Sequence, residues 1–435
     1  MSSQFHKVFK FLDWDFDVSN YRLTLAYELE NVGKVCEEIQ FPEFDLEIYH
    51  SRKSSIQAAC DLLHWLAGVS YYKAGLAEDI EFSGKKPSQS VSQFIHKTWK
   101  NGLAEMAYKN QISLKDRMKF NSNQWGQTPE CLTPLITENL NLSNRALVPL
   151  GGGKDSLVTI EELKTEKKDF NLFVVGSSKL ILEAADFIEK PLIQVQRKID
   201  QKLIEYNQQG AFNGHVPITA INSAIAVLTA LLFDFNEIVF SNEKSAEFSN
   251  TTNDDGDAVN HQYSKSYEFE NDFQEIIRTQ VASDLRYYSK QRNFSEFEIL
   301  RKFSKYPQYF PVFSSCNRNF HIDGSKNKNS KWCCDCPKCQ FVFLGLAPFI
   351  QKSTLLDIFG SNMLDDESQL DGFAELLGLK GIKPFECVGT LEESQTAFQL
   401  IKDKGDWSGD KVVKQFSEVC PKADDELLQK LKFES

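Results

Sequence analysis

The sequence predicts an α/β fold with a doubly wound, mainly parallel β-sheet in the middle of the chain. From residue 144 onward, short apolar runs alternate with helical segments, and this alternation is typical of parallel sheets. The run at 171–175 is apolar almost throughout, as expected for a strand covered on both faces. We therefore predict an N-terminal α+β module at 1–140, the parallel-sheet domain at 144–350 and a helical C-terminal segment at 351–435.

The N-terminal part shows two kinds of periodicity. Apolar and polar residues alternate in one stretch, which predicts a half-buried strand, and two later stretches carry apolar residues at helical spacing. In chain order, the predicted elements are a strand at 21–30, its hairpin partner at 37–41, helices at 54–74 and 91–108, and a proline-containing connector at 121–134.

The remaining elements follow from the same signals. They are a strand at 146–150, a helix ending near residue 168, strands at 171–178 and 191–196, a helix at 218–233, a strand at 237–240, and helices at 270–280, 370–379, 391–402 and 423–431. Thr390 and Glu393 predict a capping box at the start of the helix at 391–402.

A glycine turn follows the first strand of the parallel sheet. It reads Gly151, Gly152, Gly153, Lys154, Asp155 and Ser156. Glycine lets the backbone approach a ligand closely, and the amides that begin a helix are unpaired, so the turn is suited to hold phosphate. Lys154 adds a cation, and Asp155 is placed to hold a Mg²⁺ ion that bridges phosphate oxygens. The spacing matches neither G-x-x-x-x-G-K-S/T nor G-x-G-x-x-G.

The strand at 237–240 leads into the most polar stretch of the domain. Loops at the carboxyl ends of parallel strands build active sites, and this one contains acid–base residues. The candidates for catalysis are Glu243, Lys244, His261 and Lys265, together with Asp155 of the glycine turn. Glu247 and Asp254 are explained more simply as charges of a solvated loop whose charged groups pair with each other.

A cysteine cluster predicts a metal site. Cys333, Cys336 and Cys339 form C-x-x-C-x-x-C, and Cys316 supplies a fourth thiolate. Four thiolates suffice for a closed tetrahedral zinc site, which is structural because no position remains open for water. The same spacing also suits an iron–sulfur cluster. Cys334, between two ligands, is predicted to point elsewhere.

Charge and hydropathy limit the partners and the compartment. The net charge of −12 argues against a nucleic-acid surface, which is normally basic. No apolar run approaches the ~20 residues of a membrane helix, and the first residues lack the apolar core of a signal peptide. We therefore expect a cytoplasmic protein with no nucleic-acid or membrane partner, and the sequence does not set its oligomeric state.

The glycine turn resembles the pyrophosphate loop of the ATP pyrophosphatases, the PP-loop enzymes with the adenine nucleotide alpha hydrolase-like fold. Their usual motif is Ser-Gly-Gly-x-Asp-Ser, and Gly151 stands here in place of the serine. The order of parts through the cysteine cluster also resembles that of 7-cyano-7-deazaguanine synthase. The resemblance implies that fold, cleavage of ATP to AMP and diphosphate, and adenine contacts at Gly176, Ser177 and Ser178. For Ser178, a plain strand–helix turn is an equally good explanation.

A broader resemblance is to the UDP-N-acetyl-α-D-muramoyl-L-alanyl-L-glutamate epimerase family, the MurL family. It is carried by the order and number of short motifs at 149–156, 241–246, 259–266, 268–270, 332–339 and 383–390. It implies that the substrate is UDP-MurNAc-L-Ala-L-Glu and that its terminal L-glutamate is inverted during peptidoglycan synthesis. ATP and Mg²⁺ would be used, and AMP and diphosphate released. The basic residues Lys326, Lys328 and Lys331 either meet the UDP phosphates or are simply solvated.

The implied reaction is chemically coherent. A free α-carboxylate opposes removal of the Cα proton, because the carbanion would form beside a negative charge. Adenylation removes that charge, and closure to an oxazolone would acidify Cα further. Inversion needs two acid–base groups, or one group and a planar intermediate that turns over; the candidates above are not assigned to faces.

Three other functions remain open from the sequence. An adenylated substrate captured by ammonia would make the protein an amide- or nitrile-forming ligase of the 7-cyano-7-deazaguanine synthase type. A tRNA-modifying PP-loop enzyme would activate a base oxygen, but the acidic composition argues against it. A nucleotide-binding regulator without turnover would not need the dense polar loop.

Overall fold

The computed structural model describes residues 5–120, 137–320, 331–381 and 383–422. The strands are β1 (Val8–Asp17), β2 (Arg22–Leu29), β3 (Gly33–Gln40), β4 (Asp79–Phe82), β5 (Lys119–Phe120), β6 (Ala146–Pro149), β7 (Phe170–Val175), β8 (Leu192–Lys198), β9 (Glu237–Phe240), β10 (Thr251–Thr252), β11 (Ala258–Val259) and β12 (Arg286–Ser289).

The α-helices in these ranges vary from single turns to four turns. They are α1 (Leu46–Ser51), α2 (Lys53–Ala67), α3 (Val69–Tyr72), α4 (Gln89–Gly102), α5 (Ala104–Lys109), α6 (Lys154–Thr165), α7 (Lys179–Ile188), α8 (Gln201–Gln208), α9 (Ile218–Phe233), α10 (Tyr267–Gln280), α11 (Glu296–Phe303), α12 (Pro337–Leu346), α13 (Lys352–Phe359), α14 (Leu370–Leu376), α15 (Leu391–Lys404) and α16 (Lys411–Phe416).

Within the described ranges, ten strands form one sheet in the order β12-β9-β6-β7-β8-β3-β2-β1-β4-β5. The five strands from β12 to β8 run parallel to one another. The β8–β3, β3–β2 and β2–β1 pairs are antiparallel, and β1–β4 and β4–β5 are parallel again. The predicted α/β class with a large, mostly parallel sheet is thereby confirmed.

The N-terminal strands continue the same sheet rather than forming one of their own. The predicted hairpin is confirmed by the antiparallel pairing of β2 with β3. At its far side, β3 pairs with β8 through Ile39 opposite Arg197. The sequence analysis did not identify β1, although Phe9 and Phe11 on this strand are buried. The proposed domain boundaries stay predictions.

Several elements agree with the prediction, and two predicted helices are each divided in the structure. The strand β9, the helix α9 and the capping box of α15 are confirmed. The predicted helix at 54–74 is interrupted at Gly68, where a Cβ atom would lie 2.7 Å from Phe11 Cε1. Close packing on β1 therefore requires glycine at this position. The predicted helix at 91–108 likewise divides into α4 and α5 at Leu103.

The apolar core lies on both sides of the sheet. On one side, α9 is buried and packs against α2 of the N-terminal part. On the other, α6, α11 and α12 pack with the C-terminal helices. Among the described residues, no helix combines the length and apolar character needed to cross a bilayer. The predicted connector at 121–134 and the predicted helix at 423–431 lie outside the described residues.

A buried ion pair fixes the β3–β8 junction. Arg197 Nε donates to Glu37 Oε1 at 2.7 Å, and Arg197 Nη2 donates to Glu37 Oε2 at 3.0 Å. Arg197 Nη2 also donates to Ser70 Oγ at 2.9 Å. Glu37 is fully buried. The neighbouring Glu38 faces the other way, where it lies 3.8 Å from an exposed Lys198.

We expect Glu37→Gln to destabilise the fold by about 3–5 kcal/mol, because it leaves a buried guanidinium without its counter-charge. The matched variant Glu38→Gln removes a neighbouring but exposed ion pair and should cost about 0–1 kcal/mol. Denaturant unfolding of the two variants, followed by circular dichroism, measures the difference. Equal losses would show that the buried pair does not stabilise the junction.

Candidate functional site

The glycine turn has the strand–turn–helix geometry that the sequence predicts. It connects β6 to α6, and Gly153 begins the helix without any side-chain cap. Gly152 has a φ of +74°, and a Cβ atom on Gly153 would lie 2.8 Å from Ser315 Oγ. At Gly151 a Cβ atom would meet no described atom within 4 Å, so the turn is open there. Ser156 Oγ donates back to the Gly153 carbonyl at 3.0 Å.

The end of β7 lies next to this turn. Gly176 has a φ of +96°, and its carbonyl accepts from Gln194 Nε2 at 2.8 Å. Ser177 is exposed, and Ser178 begins α7 without a side-chain cap bond. Ile181 of α7 stands 3.4 Å from where a Gly152 Cβ would be. The two strand ends therefore form one continuous surface.

Lys154 is fully buried rather than free above the turn. Its Nζ lies 2.6 Å from Asp155 Oδ1 and is ion-paired with Glu296. Burial alone would lower the pKa of the Lys154 ammonium, but Asp155 and Glu296 outweigh burial and raise it. Glu296 also meets Lys338 Nζ at 2.9 Å. Burial alone would raise the Glu296 pKa, but the two lysines lower it to about 2.

Glu243 completes an acidic cluster at this position. One carboxylate oxygen each from Asp155, Glu243 and Glu296 lie within 4.8 Å of one another. Glu243 is buried, and its Oε1 has no hydrogen-bond partner among the described residues. Burial, reinforced by Glu296, raises the Glu243 pKa to about 7. A buried carboxylate oxygen without a partner is costly, and a bound cation or donor would relieve that cost.

Arg292 organises the polar loop around this cluster. Its guanidinium donates to the carbonyls of Glu243 and Lys265, at 3.2 and 2.9 Å, and to Glu270 Oε2 at 2.7 Å. Lys265 Nζ is thereby directed inward and lies 3.3 Å from Cys387 Sγ. Burial alone would lower the Lys265 pKa, but Cys387 and Glu243 raise it.

His261 lies in a second group of titratable side chains. Its Nδ1 is hydrogen-bonded to the buried Glu105, and its ring also hydrogen-bonds Cys387. Burial alone would lower the His261 pKa, but Cys387 and Glu105 raise it to about 9. The ring of His215 is centred 4.4 Å from that of His261, and burial with the neighbouring imidazole lowers the His215 pKa to about 4.

The structure therefore gathers most of the predicted residues and adds others. Asp155, Glu243, His261 and Lys265 come together, whereas the Lys244 side chain is exposed. The sequence analysis missed Glu105 of α5 and Glu296 of α11. It named 332–339 and 383–390 as motifs of the family resemblance, without giving a role to Lys338 of α12 or to Cys387. For Glu105, Glu296 and Lys338 no local spacing signals a role, since only the tertiary fold brings them to the site.

The predicted cysteine cluster is present. Cys316, Cys333, Cys336 and Cys339 are buried, with their sulfur atoms all within 4.8 Å of one another. Cys336 N-caps α12, and its Sγ lies 3.4 Å from Cys339 Sγ. Cys334 has a φ of +53° and points away, with its Sγ 3.2 Å from the Phe359 carbonyl oxygen, as predicted. Four convergent thiols are a donor set suited to a metal ion.

These features define an α/β enzyme with charged groups gathered at the carboxyl ends of parallel strands. Comparison with known families identifies which one. The MurL N-terminal domain matches residues 1–290, and the MurL C-terminal domain matches residues 312–430. The chain belongs to the MurL family.

Three curated relatives share the name UDP-N-acetyl-alpha-D-muramoyl-L-alanyl-L-glutamate epimerase. The protein of Xanthomonas oryzae pv. oryzae is 39% identical over 422 residues, which is 97% of this chain and 92% of the relative. That of Salinispora tropica is 35% identical over 95% of this chain and 89% of its own length. That of a Micromonospora species is 37% identical over 83% of this chain and 78% of its own length.

The Glu105–His261 pair should stabilise the fold in a pH-dependent way. The His261 pKa is raised to about 9 in the folded chain against 6.5 for the unfolded one, so folding binds the proton more tightly. This contribution is fully present below pH 6.5 and is lost as pH rises through 9. We therefore expect the stability difference between the natural chain and Glu105→Gln to shrink over that interval.

Denaturant unfolding at several pH values measures that difference. Glu205→Gln, which changes an exposed carboxylate on α8, serves as the control and should show no such trend. A Glu105→Gln difference that is constant or grows from pH 6.5 to 9 would contradict the charged pairing.

Proposed function

We propose that this protein is an epimerase of peptidoglycan biosynthesis that inverts the terminal L-glutamate of UDP-MurNAc-L-Ala-L-Glu to D-glutamate. The observation that carries the proposal is the shared name of three relatives at 35–39% identity over 83–97% of the chain. We further propose that the reaction consumes ATP, releases AMP and diphosphate, and takes place in the cytoplasm.

Activation of the substrate carboxylate explains why an epimerase would use ATP. The Cα proton of a glutamate residue is weakly acidic, because its removal places negative charge beside a carboxylate. Conversion of that carboxylate to an acyl-adenylate removes the charge and turns the carbonyl into an electron sink. Since the glutamate nitrogen is acylated by alanine, closure to an oxazolone would acidify Cα further, and we retain that ring as part of the proposal.

The fold supports a PP-loop ATP pyrophosphatase core of the kind found in 7-cyano-7-deazaguanine synthase. Adjacent parallel strands β6 and β7 end beside each other, and the glycine turn opens at Gly151 above the uncapped start of α6. Uncapped amides at a helix N-terminus favour phosphate oxygens. The surface formed with Gly176, Ser177 and Ser178 extends from this point and is where we place the adenine.

The acidic cluster fits a magnesium ion. Asp155, Glu243 and Glu296 offer carboxylate oxygens, the ligands that Mg²⁺ prefers, and Glu243 Oε1 is without a partner in the described chain. When bound, Mg²⁺ would neutralise negative charge on the ATP phosphates. Lys154 and Lys338 offset the charge of the carboxylates themselves, which keeps three acidic groups stable at close range.

We propose three side chains as candidates for the acid–base groups at Cα. Lys265, His261 and Glu243 lie around the same inner surface, whereas Lys244 faces outward. Contacts of a basic loop with the UDP phosphates stay a prediction, because Lys326 and Lys328 lie outside the described residues.

A chiral product assay tests the proposed function. The protein is incubated with ATP, Mg²⁺ and UDP-MurNAc-L-Ala-L-Glu, the product is hydrolysed, and the glutamate enantiomers are resolved on a chiral column. We expect D-glutamate only when ATP is present, with AMP and diphosphate formed alongside. Deuterium exchange at Cα in heavy water without ATP would contradict activation by adenylation.

The role of Asp155 predicts a specific loss. Asp155→Asn should lower substrate-dependent AMP formation by about 100-fold, because a charge that orients the phosphate-bound cation is removed. Lys154 keeps its Glu296 partner in this variant, so the fold should persist. Asp169→Asn removes an exposed carboxylate that is paired with Arg145 across 3.3 Å and is the control. Equal AMP formation in the two variants would exclude Asp155 from this step.

The four thiols predict structural zinc. Cys336→Ser should abolish the stoichiometric zinc measured by mass spectrometry of metal content and lower the melting temperature, because metal binding contributes to folding. Cys334→Ser changes the adjacent cysteine that points away from the cluster and should keep the metal. Iron in place of zinc would identify the other metal that this spacing accommodates, and retained zinc in Cys336→Ser would exclude this cysteine as a ligand.

A further inference from the structure

Among the isolated cysteines that the structure describes, Cys387 has distinct surroundings. Its Sγ lies 3.3 Å from Lys265 Nζ and is hydrogen-bonded to the imidazole of His261. Burial alone would raise its pKa, as burial raises the pKa of Cys60 and takes that of Cys420 to about 11. Lys265 and His261 instead lower the Cys387 pKa to about 6. Cys387 is therefore a thiolate at neutral pH.

The loop that carries Cys387 is anchored by three other parts of the chain. Phe385 packs on Tyr108 of α5, with ring centres 5.6 Å apart. The Pro384 carbonyl accepts from Asn250 Nδ2 at 2.9 Å. Lys338 donates its backbone N–H to Glu386 at 3.0 Å and its Nζ to the Cys387 carbonyl. The position of the thiolate is thus set by tertiary contacts rather than by a free loop.

The charged groups around the thiolate are mostly cations. They are Lys265 and His261 in direct contact, Lys338 and Lys383 nearby, and the carboxyl of Glu386. Glu105 holds His261 from the opposite side, so that carboxylate, imidazole and thiolate form a continuous series. An imidazolium that is oriented by a third group, here the Glu105 carboxylate, stabilises a neighbouring cysteine as the thiolate.

Lys265 connects the thiolate to the acidic cluster. Its Nζ lies 3.3 Å from Cys387 Sγ, and it also interacts electrostatically with Glu243 and Asp155. A carboxyl group activated beside the phosphate turn would therefore present its neighbouring Cα near Lys265 and Cys387. Lys265 and His261 are both held in their protonated forms and lack a free lone pair to accept a proton. The Cys387 thiolate, which contacts both Lys265 and His261, has a lone pair that can accept the proton.

We propose that the Cys387 thiolate removes the Cα proton of the activated glutamate residue, and that His261 and Glu105 are positioning residues that hold it. The inference rests on the proposed function and deepens it. In this step the Cα–H bond breaks, an S–H bond forms on Cys387, and the electron pair moves onto the activated carbonyl as an enolate. Water supplies a proton to the opposite face of Cα, which completes the inversion. Water then hydrolyses the acyl-adenylate, which restores the carboxylate and releases AMP, and Cys387 loses its new proton to solvent.

Cys387→Ser separates proton removal from activation of the carboxylate. We expect substrate-dependent exchange of labelled diphosphate into ATP to stay within about threefold of the natural protein. Cα deuterium exchange and D-glutamate formation should fall by about 100- to 10,000-fold, the range for a lost general base. Cys420→Ser, a change at a half-buried thiol of the C-terminal segment, is the control and should retain both activities.

The outcomes distinguish failure of the proposed function from failure of the role proposed for Cys387. If the natural protein forms no D-glutamate, the proposed function fails. If it does, and Cys387→Ser epimerises at more than a tenth of the natural rate, only the present inference fails. Loss of both diphosphate exchange and epimerisation would place Cys387 in the activation of the carboxylate, and it would also overturn the role of Cys387 as the base.

Alkylation of the unchanged protein gives a test that does not depend on how the variant folds. Iodoacetamide should inactivate the enzyme with a pH midpoint near 6, peptide mapping should locate the label on Cys387, and substrate with ATP should protect. Glu105→Gln should move that midpoint upward, because the imidazolium beside the thiolate is held less firmly; an unmoved midpoint would remove its positioning role. Labelling at another cysteine, or a midpoint near the ordinary thiol value, would overturn the proposal.

Mass spectrometry of the protein quenched during turnover distinguishes proton removal by the thiolate from nucleophilic attack by the thiolate on the carbonyl. Proton removal leaves Cys387 unmodified throughout the reaction. An acyl adduct on Cys387 with the mass of the substrate would show that it attacks the carbonyl, and it would overturn the role as a base.

Discussion

The carboxylate of Glu296 holds the site together. It lies buried between the ammonium groups of Lys154 and Lys338, and both pairings are needed because an unpaired charge at this depth is costly. Lys154 begins the helix after the glycine turn, and Lys338 lies in the first turn of the helix that carries Cys339 of the thiol cluster. Through Lys338 the same network reaches the carbonyl of Cys387. The glycine turn, the thiol cluster and the loop that carries Cys387 are thereby fixed relative to one another.

This network explains why the site is composed of distant parts of the chain. The N-terminal part supplies Glu105, the parallel strands supply the glycine turn and the polar loop, and the C-terminal segment supplies Cys387. Each part alone leaves a buried charge without its partner. The two MurL domain matches divide the chain between His261 and Cys387, so neither half contains the complete series.

Local signals located many of the elements, although not β1, and only part of the site. Apolar periodicity located β9 and α9, and the cysteine spacing located the cluster, because these depend on neighbours in sequence. Glu105 and Glu296 depend on packing between segments more than 140 residues apart. The sequence analysis assigned Lys154 as a cation for phosphate, and only the fold shows that it is buried against Glu296. The break at Gly68 also depends on a distant strand.

The antiparallel junction between β3 and β8 has a consequence for solubility. Without the N-terminal strands, β8 would be an exposed strand of seven residues with unpaired backbone groups, a template for association with another chain. Pairing with β3 covers Gln196, Arg197 and Lys198 at the end of β8, and the end strands of the described sheet are then β5 and β12, which are two and four residues long. Such short edges offer few hydrogen-bonding groups to a neighbouring molecule. The N-terminal strands therefore shorten the edge that the parallel half of the sheet would offer to a neighbouring chain.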